Sequence, residues 1–414
     1  MQRRTFLATL AGTLAAIPFQ RLRADEKRRP RVLLKNGWQT VNIGDIGHTP
    51  GMLRLFAEHL PDVDLVFWPN KIDSDGVEQM LRRHFPKLEI VTGDSVKKAF
   101  DDCDFLLHGS GPSLVAAKDV AKWHEQTKKP FGVCGITYSG GGGETKAILD
   151  KARFVFFRDT ISLEHAKKDG ITAPVLEFGP DAAFAVNLRN DEPVVAFLKQ
   201  NGLEEKKFLC VIPRLRNSPY WDIKKNGVKT TEDERKHAEN ESLKDSDHGK
   251  VRPAIVEFVR QTGMKVLLCP EDKSHMAVGK EMFLDKLPDD VKPKVVWREN
   301  YWLTDEAVST YSRALALLSM DMHSPIMALG NGTPAIVCRF KQQTSKGQMW
   351  SDIGLPEWLF DLDVETGPER ITAATLAIAK DIAAANAKAA KAMEFVHARQ
   401  MAEMDALKKA LADK

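Results

Sequence analysis

The residue types best suited to chemistry lie between Ser319 and Lys346. Ser319, Asp321 and His323 follow one apolar run, and Lys346 comes shortly after the next. An imidazole exchanges a proton near neutral pH and an ammonium group attracts anions, so these residues suit proton transfer beside an anionic group. The alternative is a buried histidine that is hydrogen-bonded to the backbone, which is a common role for a single histidine.

The segment around His323 predicts a helix followed by a strand. Apolar residues recur with helical spacing after His323, residues 330–334 contain two glycines and a proline that end the helix, and residues 335–338 are apolar enough for a buried strand. In open α/β sheets, ligands bind beyond the carboxyl ends of strands, where helix N-termini offer free N–H groups to anions. We therefore expect an anion-binding site beside His323.

Arg214 closes another apolar run, residues 208–212. An arginine at the carboxyl end of a strand binds a phosphate or a carboxylate through two parallel hydrogen bonds, which lysine cannot reproduce. A salt bridge between domains explains the residue equally well. The sequence leaves both interpretations of Arg214 open.

Two loops in the N-terminal half combine polar side chains with glycines, which let a backbone approach a ligand closely. Each loop follows an apolar run that predicts a strand. We expect both loops to face a ligand-binding cleft through Asn42, Gly44, Asp45, His108 and Ser110.

Apolar runs alternate with helical patterns along most of the chain. Seven runs lie within residues 32–178 and five within residues 208–337, and a helix predicted to start near Thr49 is one of the helices between them. Strand and helix in alternation predict parallel sheets with helices on both faces. The expected fold class is therefore α/β.

The two series of runs indicate two Rossmann-like domains, residues 31–190 and 205–366, that face each other across a cleft in a GT-B-like arrangement. Residues 367–414 are rich in alanine, which favours a long C-terminal helical tail. The charged segment 217–250 is either a solvated surface or a mobile lid over the cleft.

The first 24 residues have the pattern of an export signal. Arg3 and Arg4 precede Phe6, Leu7 and a short apolar run, as in twin-arginine signal peptides. The apolar run is too short to span a bilayer comfortably. We expect a protein of the periplasm or cell envelope that has no stable membrane span after the signal is removed.

Charge and cysteine content argue against several classes of protein. The full chain has a net charge of +3, and removal of residues 1–24 lowers it to −1, which argues against general nucleic-acid binding. The five cysteines are odd in number and most lie in apolar runs, so we expect buried thiols without disulfides. No spacing of cysteine and histidine indicates a metal site, and we expect no cofactor.

These segments resemble the polysaccharide pyruvyl transferase family. That family carries a Ser-x-Arg-x-His motif at the start of a helix, a Gly-x-Pro before the next strand and a lysine ahead of a Gly-Leu pair. The loop at Asn42 resembles the family's N-terminal motif. The motif arginine is Asp321 in this chain, so an anion stands where the family has a cation. The C-terminal matches are Ser319, His323, Gly332, Pro334, Lys346, Gly354 and Leu355.

The resemblance implies an enzyme that transfers a pyruvyl group from phosphoenolpyruvate to sugar hydroxyls of a cell-envelope glycan. His323 would be the catalytic residue that moves a proton. The residues expected at the donor are Arg214, Ser319, Asp321 and Lys346. Because Asp321 repels an anionic donor, either a nearby arginine compensates or the donor differs.

Two other functions therefore stay open. One is a GT-B-like glycosyltransferase with a different donor, in which Asp321 holds a sugar hydroxyl or pairs with His323. The other is an exported carbohydrate-binding protein without catalysis. Phosphoenolpyruvate is not expected outside the cytoplasm, so export favours altered chemistry.

Overall fold

Two parallel sheets form the frame of the protein. The structure is a computed structural model that describes residues 28–413 except 73 and 226, so the predicted signal peptide at residues 1–24 lies outside the described residues. The strands of the first sheet are β1 (Arg31–Lys35), β2 (Asp64–Phe67), β3 (Glu89–Ile90), β4 (Phe105–His108), β5 (Phe131–Ile136), β6 (Val155–Phe157) and β7 (Leu176–Phe178). Those of the second are β8 (Phe208–Ile212), β9 (Lys265–Leu268), β10 (Val295–Trp297), β11 (Ala316–Ser319), β12 (Ala335–Arg339) and β13 (Leu359–Asp361).

Helices connect the strands and form the tail. The α-helices are α1 (Ile43–His59), α2 (Val77–His84), α3 (Ser95–Asp102), α4 (Ala117–Thr127), α5 (Gly143–Leu149), α6 (Thr160–Lys168), α7 (Asp191–Gln200), α8 (Tyr220–Lys225), α9 (Thr231–Thr262), α10 (His275–Met282), α11 (Thr304–Tyr311), α12 (His323–Gly330), α13 (Met349–Asp352), α14 (Glu369–Lys380) and α15 (Ile382–Ala412). Short 3-10 helices span Ala182–Ala185, Leu284–Lys286, Lys292–Lys294, Lys341–Gln343, Ser345–Gln348 and Pro356–Trp358.

Both sheets have the strand order of a doubly wound fold. The first runs β3-β2-β1-β4-β5-β6-β7 and the second β10-β9-β8-β11-β12-β13, with all pairs parallel. The chain reverses its direction of travel between β1 and β4 and between β8 and β11, and ligands bind beyond the carboxyl ends of such strands. The fold therefore confirms the predicted α/β class with two GT-B-like halves, and it singles out the loops after these four strands.

The two halves share one hydrophobic core. A single buried cluster contains Val32 and Leu34 of the first sheet together with Leu209 and Leu317 of the second. Between the sheets, α1 and α12 pack on the 3-10 helix Ala182–Ala185. Burial of this apolar surface joins the two halves.

Glycines bring the backbones together where α1 and α12 meet this 3-10 helix. A Cβ atom on Gly51 of α1 would lie 2.0 Å from the carbonyl oxygen of Ala182, and one on Gly330 of α12 would lie 2.1 Å from that of Phe184. Only glycine, which has no Cβ atom, allows such contacts. Both helices therefore pack directly against the backbone of this 3-10 helix.

The backbone also joins the halves directly. Asn42 and Asp272 form an antiparallel bridge, in which Ile43 N–H donates to the carbonyl oxygen of Glu271 (3.0 Å) and Lys273 N–H donates to that of Val41 (3.2 Å). The loop after β1 is therefore fixed to the loop after β9 on one side of the cleft.

Helix α1 begins earlier than the sequence predicted. The helix was expected near Thr49, whereas it begins at Ile43 and contains Pro50 in its interior. The side chain of Asn42 accepts the N–H groups of Gly44 (2.8 Å) and Asp45 (3.3 Å), and this cap starts the helix. The glycine-containing loop thereby becomes the first turn of α1.

The charged segment 217–250 forms α8 and the first part of α9. Arg216 donates to both carboxylate oxygens of Asp247, each at 2.8 Å, and Asn240 accepts the N–H of Asn217 at 2.9 Å. These buried contacts tie α9 to the loop after β8. Segment 217–250 is thus a helical surface with one anchored face.

The C-terminal tail is helical, as predicted, and packs back on the first half. Arg399 of α15 donates to the carbonyl oxygen of Phe178 at 2.9 and 2.6 Å, and Val396 and Leu407 are fully buried. The cysteines are all free and buried, which confirms the prediction of unpaired thiols. None of the described helices is both long and apolar enough to cross a membrane.

Candidate functional site

A cavity of about 270 Å³ lies between the two halves, at the carboxyl ends of the strands. Loops from both sheets contribute to its walls, as the positions of β1, β4, β8 and β11 require. The residues that line it are Gln39, Asn42, Asp45, Pro112, Arg158, Arg214, Tyr220, Asp321, His323, Gln342, Gln343, Thr344 and Lys346.

Asp321 is the buried anion at the centre of the cationic side of this cavity. Arg214 donates from Nη1 to its Oδ2 atom, and Nζ of Lys346 lies 4.0 Å from its Oδ1 atom. Burial opposes ionisation of Asp321, but the guanidinium of Arg214 and the ammonium of Lys346 outweigh it and hold the pKa of the carboxyl group below its usual value. Asp321 is therefore ionised and neutralises one of the two cations.

Glu271 fills the N-terminus of α12. Its Oε2 atom accepts the N–H of Ser324 at 2.6 Å, and its Oε1 atom accepts the N–H of His323 at 3.3 Å. We expected these N–H groups to be free to bind an anionic ligand. That prediction is wrong, because the carboxyl group of Glu271 occupies the position. Burial, strengthened by Asp321, raises the pKa of Glu271 to about 8.

The imidazole of His323 points into the cavity from the start of α12. Its Nδ1 atom lies 3.2 Å from Oε1 of Glu271, while its Nε2 atom is buried and has no hydrogen-bond partner within the described residues. Burial and the nearby charge of Lys346 lower the pKa of His323 to about 3. The ring is consequently neutral at physiological pH. It is a weak base in this state, and an anionic ligand that offsets the charge of Lys346 would raise its pKa toward the range of a proton acceptor.

A second histidine, His48 of α1, stands behind His323. The ring centroids are 5.2 Å apart in an edge-to-face arrangement. Nδ1 of His48 lies 2.9 Å from the carbonyl oxygen of Gly37, and Nε2 lies 3.4 Å from Oδ1 of Asp181. Burial disfavours the charged ring, but Asp181 outweighs this effect and raises the pKa of His48.

Arg158 completes the neighbourhood of Asp181. It donates from Nη1 to Oδ2 of Asp181 at 3.1 Å and from Nε to Oγ1 of Thr137 at 2.8 Å. Asp181 therefore holds both Arg158 and His48 in place, which is a structural role for this carboxylate.

The loop after β1 contributes both a wall and a contact. Asn42 and Asp45 line the cavity, and Asp45 accepts a hydrogen bond from Nε2 of Gln39. Gly44 does not line it but lies against His323, where a Cβ atom would come within 2.0 Å of the Cβ atom of the histidine. This glycine allows the first turn of α1 to touch the first turn of α12.

The loop after β4 does not present the predicted side chains. His108 is fully buried and accepts the N–H of Ala116 through Nε2 at 3.4 Å, and Ser110 accepts the N–H of Ala182 at 2.9 Å. Both side chains satisfy backbone groups inside the first domain, and Pro112 is the residue of this loop that lines the cavity. The expectation that His108 and Ser110 face the cleft is wrong.

Ser319 also lies outside the cavity lining. Its hydroxyl group donates to the carbonyl oxygen of Asp321 at 2.7 Å and accepts the N–H of the same residue at 3.0 Å. The serine therefore shapes the turn after β11 that presents Asp321, and its one hydroxyl hydrogen is already used in that turn.

Two further arginines, Arg216 and Arg339, are paired with other carboxylates and do not compensate for the charge of Asp321. Arg216 pairs with Asp247, and Arg339 donates to Asp361 at 2.9 Å. Within the described residues, the cations of the cavity are Arg158, Arg214 and Lys346.

Several lining residues were missed by the sequence reasoning. Gln39 lies in the loop after β1, and the stretch from Gln342 to Thr344 follows β12, so a position after a strand was the only signal for these residues. Tyr220 belongs to the charged segment and gives no sequence signal. It accepts a hydrogen bond from Gln39 at 2.9 Å and thus closes the cavity on the side of α8.

Two groups of potential metal ligands lie at the site. One contains Asp45, His48 and His323, and the other contains Asp272, His275 and Asp321, with the donor atoms of each group within 4.8 Å of one another. The sequence did not predict either group, because each group combines segments that are distant along the chain.

The geometry combines three capacities. The cavity offers cations for an anionic ligand, a neutral imidazole nitrogen for a proton, and carboxylate and amide groups for hydroxyl groups. This set is suited to group transfer onto a polyol.

Comparisons with known proteins agree with the fold. The family model described as polysaccharide pyruvyl transferase matches residues 42–341. A comparison with curated proteins gives no match.

Solved structures similar to the chain are sugar-nucleotide proteins with low sequence identity. Anabaena HepE in complex with UDP and glucose has a TM-score of 0.54 and 10% identity, covering 93% of this chain and 100% of that one. UDP-GlcNAc 2-epimerase from Neisseria meningitidis, bound to UDP-GlcNAc, has a TM-score of 0.53 and 12% identity, covering 91% and 100%. MnaA from S. aureus with UDP has a TM-score of 0.52 and 10% identity, covering 87% and 90%. At this identity the likeness shows the fold alone.

Proposed function

The chain belongs to the polysaccharide pyruvyl transferase family, and on this premise we propose that it transfers a pyruvyl group from phosphoenolpyruvate to two hydroxyl groups of a saccharide. The observation that carries the proposal is the convergence of a neutral His323 with Arg214 and Lys346 in one interdomain cavity. Family membership by itself supports a transferase that modifies polysaccharides.

The reaction needs a proton to move from a sugar hydroxyl group while the donor gains one. One hydroxyl oxygen bonds to C2 of phosphoenolpyruvate as C3 takes up a proton and becomes a methyl group. The second hydroxyl oxygen then bonds to C2 as the C–O bond to phosphate breaks. The proton of this second hydroxyl group passes to the departing phosphate, so the products are a pyruvate ketal and hydrogen phosphate. In this proposal Nε2 of His323 accepts a hydroxyl proton, which its free lone pair allows.

The cations of the cavity would hold the donor. Lys346 lies 4.0 Å from Asp321 and Arg214 is paired with the same carboxylate, so an incoming phosphate or carboxylate shares these cations with Asp321. Arg158 faces the cavity from the other half. The donor would therefore be bound from both halves, which fits a transfer that must exclude water.

The test is direct binding and turnover. We expect phosphoenolpyruvate to bind in a calorimetric titration and to release phosphate in the presence of a mixture of oligosaccharides with unsubstituted terminal sugars. His323→Gln should retain binding and lose at least about 100-fold in phosphate release, which is the usual contribution of a proton-transfer group. Absence of binding by the wild-type protein would refute the proposal.

A second candidate is transfer from a nucleotide sugar. Arg214 is neutralised by Asp321, so the cavity has less net positive charge than three cations suggest, and this observation favours a donor with a different distribution of charge. Stabilisation by UDP-glucose but not by phosphoenolpyruvate in a thermal-shift assay would support this function. Binding of oligosaccharides alone would support a carbohydrate-binding protein without catalysis.

We also propose that the protein is exported. Export would favour the second candidate, because phosphoenolpyruvate is not expected outside the cytoplasm. The pair Arg3-Arg4 ahead of a short apolar run supports a twin-arginine signal. A reporter fused after residue 30 should reach the periplasm, and Arg3→Lys combined with Arg4→Lys should retain it in the cytoplasm. Unchanged export of the double variant would contradict the twin-arginine assignment.

A further inference from the structure

We propose that Asp45, His48 and His323 form a binding site for a divalent transition-metal ion such as Zn²⁺. The donor atoms of the three residues lie within 4.8 Å of one another, and two residues come from the first half of the protein and one from the second. Two imidazoles and one carboxylate are a ligand set that Zn²⁺ accepts, with three protein ligands and one open position.

The hydrogen bonds of the two histidines direct Nε2 of each ring toward the site. Nδ1 of His48 faces the carbonyl oxygen of Gly37, which can only accept, so Nδ1 carries a hydrogen. Nδ1 of His323 faces the carboxyl group of Glu271 at 3.2 Å. Histidines that bind metals generally donate the other ring nitrogen to a carbonyl or carboxylate oxygen in this manner.

The Nε2 atoms themselves lack hydrogen-bond partners. Both are buried, with exposures of 1% for His48 and 5% for His323, and neither makes a hydrogen bond within the described residues. Buried polar atoms almost always have a partner, and a bound ion is one explanation when they do not. Nε2 of His48 also lies 3.4 Å from Oδ1 of Asp181, so the two nitrogens have carboxylates beside them on both sides, which is an observation in favour of a cation.

The neighbouring group of Asp272, His275 and Asp321 lacks this feature. Nδ1 of His275 accepts the N–H of Glu271 at 3.1 Å, so in the neutral ring the hydrogen is on Nε2, which lies 3.5 Å from Asp272 and 3.8 Å from Asp321. A protonated nitrogen has no lone pair for a metal. Moreover, Asp321 is already paired with Arg214. Apart from Oδ2 of Asp272, which has no hydrogen-bond partner within the described residues, this second group is a hydrogen-bonded network and serves as an internal comparison.

The proposed site opens toward the cavity. Asp45 and His323 line the cavity, whereas His48 lies behind them, so the fourth position of the metal would face a ligand or water. Tetrahedral ligands at about 2.1 Å from a zinc ion are about 3.4 Å apart. Asp45 is only half-buried, so its side chain has room to rotate toward a bound ion.

Metal binding has a consequence that rests on the proposed function. The lone pair on Nε2 of His323 serves either the metal or a proton, and one occupant excludes the other. Zinc should therefore inhibit phosphate release from phosphoenolpyruvate. It should also stabilise the fold, because the ion bridges α1 and α12.

The test is titration of the full-length protein, dialysed against a chelator, with zinc chloride in a calorimeter. We expect one zinc ion per chain. His48→Gln and Asp45→Asn should each weaken zinc binding by at least about 100-fold, whereas His275→Gln should leave it unchanged. Circular dichroism would establish that each variant is folded, and Asp45→Asn provides the test at a half-buried position if His48→Gln does not fold.

Three results would overturn the inference: no zinc binding by the wild-type protein, unchanged binding by the folded His48 or Asp45 variant, or loss of binding only in the His275 variant. The readout is independent of turnover. A protein that binds zinc through these residues but does not use phosphoenolpyruvate would refute the proposed function and leave the metal site standing, and the converse result would do the opposite.

Discussion

Replacement of Asp321 by asparagine should strengthen the binding of phosphoenolpyruvate. Asparagine has nearly the same shape as aspartate, and its single carbonyl oxygen can keep the hydrogen bond from the N–H of Met322, which lies 2.7 Å from Oδ1 of Asp321. Its amide nitrogen then takes the place of Oδ2 and cannot accept from Arg214, which is released to bind the donor. The change therefore removes one negative charge from the cationic side of the cavity with little change in packing.

The magnitude follows from the distances in the site. An anion bound beside Lys346 would lie about 4 Å from Asp321, and two like charges at that separation repel by about 4 kcal/mol at an effective dielectric constant of about 20. Water in the cavity and rearrangement of Arg214 reduce this value. We expect a net gain of about 1.4 to 2.8 kcal/mol, which is a 10- to 100-fold lower dissociation constant for phosphoenolpyruvate.

Calorimetric titration of wild type and variant with phosphoenolpyruvate measures this change. Asp361→Asn is a matched control, because Asp361 is a carboxylate paired with an arginine, Arg339, that does not line the cavity. We expect no change in the control. Unchanged or weaker binding by Asp321→Asn would show that the donor does not meet Asp321, and the assignment of Arg214 and Lys346 to the donor would be wrong.

Three further predictions follow from the packing and the charges. Lys346→Met should weaken binding of phosphoenolpyruvate by about 10-fold or more in the same titration, because it removes the cation that Asp321 does not fully neutralise; equal affinity would contradict this role. Gly44→Ala should destabilise the protein to urea by about 1–3 kcal/mol, because its Cβ atom would overlap His323, whereas the matched change Gly249→Ala in α9 meets no atom within 4 Å and should stabilise by up to about 1 kcal/mol. Burial lowers the pKa of His108 to about 4. The unfolded chain therefore takes up a proton at this residue below about pH 6.5, while the folded chain does not. His108 should thus lower the free energy of unfolding by up to about 2 kcal/mol between pH 6.5 and pH 5. Urea titrations at pH 7 and pH 5 should show a smaller loss in His108→Gln than in wild type, with the more exposed His59→Gln as the control that keeps the wild-type loss.

The fold could be predicted from the sequence because fully buried parallel strands are written as apolar runs. β5 and β8 are buried at every position, and each appears in the sequence as an uninterrupted apolar segment or one broken only by glycine. Strand β13 was missed, since Leu359–Asp361 is three residues long and ends in a charge. The start of α1 was missed because Pro50 suggested the first helical turn, whereas the helix is capped earlier by Asn42.

The site could be predicted only where position along a strand determines direction. Asp45, Arg214 and His323 follow strands at the reversal points of the two sheets, and all of them reach the cavity. His108 occupies an equivalent position at the end of β4, but it turns inward because the N–H of Ala116 needs its nitrogen. Such a preference depends on a loop conformation that the sequence does not reveal.

Other members of the site depend on contacts between distant segments. Glu271 fills the N-terminus of α12 from a loop 52 residues away, and no local pattern distinguishes this carboxyl group from its neighbours. His48 had a signal that could have been used, since it follows Asp45 by three residues and the two share a face of α1.

The main-chain bridge between Asn42 and Asp272 affects how a large acceptor could reach His323. Because the two halves are joined at this bridge, the cleft would open most on the side away from it. Gln342 and Thr344 line the cavity. The cavity volume of about 270 Å³ is below the usual range for a site that encloses a whole drug-sized molecule. An extended glycan would therefore insert its terminal sugar and leave the remaining units in solvent, so the number of chain ends, rather than chain length, should set how many groups each polymer receives.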